Sequence, residues 1–73
     1  MKWIFNPEKL RERRKALDMT LRELAEKAGI SFSTVGKVEN GQRDPSANTL
    51  GSLAEALGVS PNYFFGRGDK DEI

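Results

Sequence analysis

Apolar residues recur along this chain at helical spacing, and Gly, Pro, Asn and Ser interrupt them at short intervals. Asn6 is placed to cap a first helix, with Pro7 at its first position and Glu8 beside the positive end of the dipole. Leu10 and Leu17 share its inner face, with Ala16 beside them, and Asp18-Met19 breaks it. Thr20-Leu21-Arg22-Glu23 then spells a capping box, and Met19 and Leu24 are spaced as a hydrophobic staple. Leu21, Leu24, Ala25 and Ala28 form the buried stripe of a second helix over about 20–28, which Gly29 ends. Ser31 caps a third helix over about 32–40, with Val35 and Val38 turned inward and Asn40-Gly41 at its end. After the turn Gln42-Arg43-Asp44-Pro45, Ser46 caps a fourth helix, in which Leu50, Leu53, Ala54 and Leu57 follow i, i+3, i+4, i+7 before Gly58. Ser60-Pro61 opens a fifth, one-turn helix carrying Tyr63, Phe64 and Phe65.

No strand pattern is visible, so the expected class is all-α with five helices. Residues 1–66 make one domain, and 67–73 form an acidic tail with no packing pattern, expected to be disordered. The segments Leu24–Ser31 and Leu53–Ser60 echo each other. Each ends a helix on Gly, offers one apolar residue to the core and caps the next helix with Ser. Two copies are too few for a solenoid.

Composition narrows the chemistry. The chain has 73 residues, one domain near the lower limit of unaided folding, and it contains neither Cys nor His. Disulfides, the usual zinc sites and the commonest general base are therefore absent from it. With no phosphate-binding loop and little volume for a pocket, an enzyme is not expected, nor is any metal or cofactor. No apolar run reaches membrane-spanning length, and Trp3-Ile4-Phe5 is too short for a signal peptide, so the default location is the cytoplasm. The net charge of +1 hides an asymmetry. Residues 1–43 carry ten Lys and Arg against six Asp and Glu, whereas residues 44–73 carry two against five. A basic half followed by an acidic one suits a nucleic-acid binder. Two short motifs are discounted: Arg11–Lys15 is a charged helix face, and Arg67-Gly68-Asp69 is accidental without a secretion signal.

The second and third helices are joined by Ala28-Gly29-Ile30-Ser31, the turn of a helix-turn-helix, which frees its second helix to enter a DNA major groove. Gly-containing helical hairpins also occur in purely structural bundles, so this corner alone leaves both readings open. The longer pattern is more specific. Leu10 and Arg14 lead into Thr20-x-x-Glu23-Leu24-Ala25-x-x-Ala28-Gly29-Ile30-Ser31 and Ser33-Thr34-Val35-x-Lys37-Val38-Glu39-x-Gly41-x-Arg43-x-Pro45-Ser46. Thr49-Leu50-x-x-Leu53-Ala54-x-x-Leu57-Gly58-Val59 completes it. Over about residues 8–65 the chain resembles the lambda-type phage repressors and Cro, the XRE family.

That resemblance implies a five-helix lambda-repressor-like DNA-binding domain that reads double-stranded DNA with its third helix, as a regulator and commonly as a homodimer on a palindromic operator. Base contacts then fall to Phe32, Ser33, Thr34 and Lys37. Lys37 suits guanine O6 or N7, Ser33 discriminates weakly, and Phe32 suits a thymine methyl. Two alternatives stay open: Phe32 folded back onto the second helix as core, and Lys37 as a phosphate-binding or solvent-facing side chain. Gly36 costs stability inside a helix, which a close approach to the DNA backbone would explain. Phosphate contacts fall to Thr20, Arg22, Ser31, Asn40, Gln42 and Arg43. Leu21 departs from the family, which commonly has Gln there, so that contact is expected to be missing. Arg14 and Glu39 match a partly buried structural salt bridge. Trp3, Phe5, Tyr63, Phe64 and Phe65 form two aromatic clusters, either packed on each other as core or exposed as a dimer surface. The competing function is an antitoxin or adaptor with a protein partner. The chain reads equally as a complete Cro-like protein or as the N-terminal piece of a longer repressor.

Overall fold

The computed structural model describes residues 3–67. Strand β1 (Trp3–Phe5) leads into four helices, α1 (Pro7–Ala16), α2 (Leu21–Ala28), α3 (Phe32–Glu39) and α4 (Ala47–Leu57). A 3-10 turn (Pro61–Phe64) and strand β2 (Phe65–Arg67) complete the order. Local sequence explains where each helix starts. Asn6, Thr20, Ser31 and Ser46 all cap with their side chains, and Thr20 and Glu23 form the full capping box.

The ends share one solution. At α2 the Ile30 N–H donates to the Ala25 carbonyl (3.0 Å) and the Gly29 N–H to that of Glu26 (3.2 Å). At α4 Val59 donates to Ala54 (3.0 Å) and Gly58 to Glu55 (3.2 Å). These are Schellman closures, with Gly29 at φ +72° and Gly58 at φ +71°, values that a side chain would strain. The sequence echo is thus one corner used twice. Asp18, at φ +61°, closes α1 in the same way through Met19 N–H to the Arg14 carbonyl (3.1 Å).

Two expectations fail. Among the described residues four α-helices form, because the fifth segment is a four-residue 3-10 turn whose Ser60 makes no side-chain cap bond and whose last residue runs straight into a strand. Four residues cannot repay the cost of nucleating an α-helix. The fold is also mostly rather than wholly helical. β1 and β2 pair antiparallel with Trp3 opposite Arg67, Ile4 opposite Gly66 and Phe5 opposite Phe65, tying the two ends of the described chain together. Three-residue strands are too short to show a period of two, so only the pairing makes them strands. Arg67 therefore belongs to the ribbon rather than to a tail, and residues 68–73, with most of the expected acidic tail, lie outside the described residues.

Leu10, Leu24, Val35, Val38, Leu53, Leu57 and Phe64 are fully buried and come from every helix and from the 3-10 turn. Phe5, Met19, Leu21, Ala28, Ile30, Leu50 and Val59 pack against them, half-buried. Leu17, expected beside Leu10, is instead exposed, since α1 ends at Ala16 and the chain turns away. The aromatic clusters do pack on each other. Phe64 lies 6.1 Å from Phe5 and 5.5 Å from Tyr63, ring centre to ring centre, and Phe5 lies 5.9 Å from Phe65. Phe64 is core and cannot belong to a dimer surface, whereas Trp3 and Tyr63 remain exposed and Phe5 and Phe65 half-buried. No helix among the described residues is long and apolar enough to cross a membrane.

Candidate nucleic-acid interface

The corner between α2 and α3 decides which side chains reach solvent. Val35 and Val38 are sealed in the core, so the opposite face of α3 points outward with Ser33, Lys37 and Asn40 exposed on it. Ser33 and Lys37, four residues apart, share one surface. Thr34 is half-buried, and its hydroxyl accepts a bond from the Ser31 hydroxyl at 2.8 Å. The Ser31 oxygen also accepts from the Thr34 N–H at 3.1 Å. Ser31 is thus committed to its capping role, and its proton would have to leave Thr34 to serve a phosphate.

Phe32 is resolved by the geometry. It is 44% exposed, so it does not fold back as core. The Arg22 guanidinium carbon sits 4.5 Å from its ring centre, a cation over a π face, worth about 0.5–1 kcal/mol at an exposed site. Phe32, the first residue of α3, and Arg22, the second of α2, are thereby joined across the turn.

Around this face lie the expected backbone-gripping residues. Thr20, Arg22, Asn40, Gln42 and Arg43 are all exposed. Thr20 keeps only its hydroxyl proton for a ligand. Its N–H donates to the Glu23 carboxylate (2.8 Å), and its oxygen accepts from the Glu23 N–H (3.0 Å). The C-terminal end of α3 is closed by the Gln42 N–H donating to the Lys37 carbonyl (2.9 Å), which sets Gln42 and Arg43 directly after the helix.

Gly36 has a packing role that the sequence does not show. A Cβ built there would meet the Leu21 Cδ2 at 3.6 Å, an ordinary contact. Leu21, in place of the polar residue common in the family, lies across Gly36 and fills the seam between α2 and α3. Because Ala fits, Gly36→Ala is expected to raise stability by about 0.5–1 kcal/mol. A urea titration checks this: the midpoint should rise with an unchanged slope.

Behind the exposed face, α3 is anchored by charge. Arg14 grips Glu39 with two nitrogens, Nε to Oε2 at 2.6 Å and Nη2 to Oε1 at 3.1 Å, and its Nη1 donates to the Met19 carbonyl at 2.8 Å. Both side chains are largely withdrawn from water, 12% and 5% exposed. The hydrogen bond to Glu39 holds the Arg14 guanidinium above its ordinary range, against the opposing effect of burial. Sequence reasoning missed Arg11, whose Nε lies 3.7 Å from Glu39 Oε1 and whose Nη2 donates to the Glu39 carbonyl at 3.4 Å. The available signal was its position one turn before Arg14 on the same face of α1. It also missed Arg13, whose Nε donates to the Leu57 carbonyl (3.0 Å) at the end of α4. Three neighbouring arginines of α1 thus fix the C-terminal ends of two helices, and the basic run is scaffold here.

Known proteins are similar to this chain in sequence and in fold. Residues 10–64 match the helix-turn-helix family HTH_3. An uncharacterized HTH-type transcriptional regulator of Mycobacterium tuberculosis is 38% identical over 58 residues, covering 80% of this chain but 41% of that protein, so the chain spans less than half its length. The restriction-modification controller protein C.AhdI from Aeromonas hydrophila superposes with a TM-score of 0.78 at 39% identity, covering 81% of this chain and 89% of that one. The P22 c2 repressor, solved in complex with a synthetic operator, superposes with a TM-score of 0.75 at 31% identity, covering 80% and 88%. A helix-turn-helix with these caps, this Arg–Glu anchor and these relatives places the chain in the lambda-repressor-like, or XRE, family of helix-turn-helix transcriptional regulators.

Proposed function

We propose that this chain binds double-stranded DNA in a sequence-specific way as a transcriptional regulator, a repressor acting as a dimer on a palindromic operator, and that it performs no catalysis. The observation that carries this reading is the outward face of α3, where Ser33 and Lys37 stand exposed on a helix whose other face is core. Lys37 supplies a donor for a guanine edge and Ser33 a weaker one. Thr20, Arg22, Asn40, Gln42 and Arg43 supply donors for phosphates on either side, and Ser31 and Thr34 support the start of the helix. Gly36 lets the backbone of α3 approach the DNA. The exposed aromatics Trp3 and Tyr63, with the half-buried Phe5 and Phe65, offer the dimer contact.

The test is selection from a random duplex library at moderate salt, with Ser33→Ala/Lys37→Ala in parallel. Two-fold symmetric half-sites spaced by about 34–36 Å are expected for the native chain. The double variant should lose about 1–3 kcal/mol of discrimination per lost base contact, while keeping salt-sensitive non-specific binding. Failure to enrich any sequence would remove this reading. It would favour a protein partner, for which the apolar groove between Trp3, Asn62 and Phe65 offers a surface.

A further inference from the structure

We infer that Arg22 and Phe32 form one reading unit for thymine, in which Arg22 holds the Phe32 ring so that its uncovered face meets the base's 5-methyl group; this rests on the DNA-binding reading above. Three observations converge. Phe32 is a large apolar side chain left 44% exposed at the first position of α3, the end of that helix nearest the turn. One of its faces is covered by the Arg22 guanidinium, 4.5 Å from the ring centre, so the ring has a defined seat on the surface without belonging to the core. One turn further along α3, Gly36 carries no side chain, and a Leu21 methyl lies beneath it, 3.6 Å from where a Cβ would stand.

Phe32, with the side-chain-free Gly36 one turn on, is the apolar part of a helix surface whose other exposed groups, Ser33, Lys37 and Asn40, are polar. A benzyl ring and a bare backbone offer no hydrogen bond to a base edge beyond the helix's own. The thymine 5-methyl is the apolar feature that the ordinary bases display in the major groove. A polar base edge laid on the ring would lose its water and gain no partner, so the ring discriminates in both directions. Arg22 acts as the positioning residue. A guanidinium carries five N–H donors, more than one ring contact can use, which leaves donors for a phosphate at the N-terminal end of α2, where an anion is also favoured by the dipole. A backbone contact and a base contact are then coupled through one side-chain pair.

The experiment takes the duplex enriched in the selection and replaces each of its thymines in turn by deoxyuridine, which removes only the methyl group. At one thymine per half-site the native chain should bind about three- to fivefold more weakly, the worth of one buried methyl. Phe32→Ala should bind the thymine and uracil duplexes alike. Arg22→Ala should show a reduced uracil penalty and a shallower salt dependence, and Arg22→Lys, which keeps the charge but not the planar fork, should recover the salt dependence more fully than the uracil penalty. Both side chains are on the surface, so circular dichroism should report an unchanged fold in every variant. Indifference to uracil at every position, or a penalty that persists in Phe32→Ala, would overturn the inference while leaving DNA binding intact. A native chain that selects no duplex would overturn both.

Discussion

Glu39→Ala is expected to lower the stability of this domain by about 3–5 kcal/mol, because it strips the partner from a cation that is already withdrawn from water. A chain of 73 residues holds about 4–11 kcal/mol in all, so the variant should be close to unfolding at room temperature. The reason lies in geometry more than in charge. Arg14 spends three nitrogens on Glu39 and the Met19 carbonyl, and Arg11 adds a longer contact from the same side. Truncating Glu39 leaves the Arg14 guanidinium, 12% exposed, without its counter-ion, and it removes the side-chain anchor between the last residue of α3 and α1. Thermal melting should show a fall on the order of 20 °C. Any loss of DNA affinity should follow the unfolded fraction and disappear below the transition. A melt that matches the native chain would show that the pair is dispensable.

The pH behaviour follows from the direction of the Arg14 shift. A folded-state pKa raised above its unfolded value gives stability that is fully present below the unfolded pKa and is lost as pH rises through the folded one. For an arginine that window lies far into the alkaline range. The contribution of Arg14 should therefore be flat across neutral pH.

Phe64→Ala should cost about 3–5 kcal/mol through the cavity that it leaves. Phe64 is fully buried and is in ring contact with Phe5 and Tyr63, and its carbonyl accepts the Asn6 N–H at 2.8 Å. It is the side chain through which the terminal ribbon is docked on the helices. Its loss should release the ribbon as well as soften the core. Melting measures the first effect, and hydrogen exchange at the Asn6 amide the second, with protection there expected to fall more than in α4. Unchanged protection at Asn6 would mean that the strand pairing holds the ribbon by itself.

Much of the candidate interface was legible from local chemistry. Thr20, Ser31 and Ser46 announce where helices begin and Gly29 and Gly58 where they end, since a hydroxyl cap and a left-handed closure each depend on a few consecutive residues. The alternation of core and surface along α3 is equally local, because one turn of helix separates Val35 from Val38 and sets Ser33 and Lys37 opposite them. The Arg14–Glu39 pair came from family resemblance, and its partners are 25 residues apart, beyond any periodicity.

What the sequence determined by itself was therefore the order of the helices, their caps and the polar face of α3, all matters of short-range hydrogen bonding and side-chain period. Tertiary structure decided the rest. It turned an expected fifth helix into a 3-10 turn and a strand, because the chain's other end offered backbone partners that a four-residue helix could not match. It sent Phe64 inward and left Trp3 exposed, though both are large apolar residues in aromatic clusters, since burial depends on which face the assembled helices leave open. And it set Arg22 over Phe32, a contact made only because the α2–α3 turn brings two helix starts together and stacking on a cation lets an apolar ring remain at the surface.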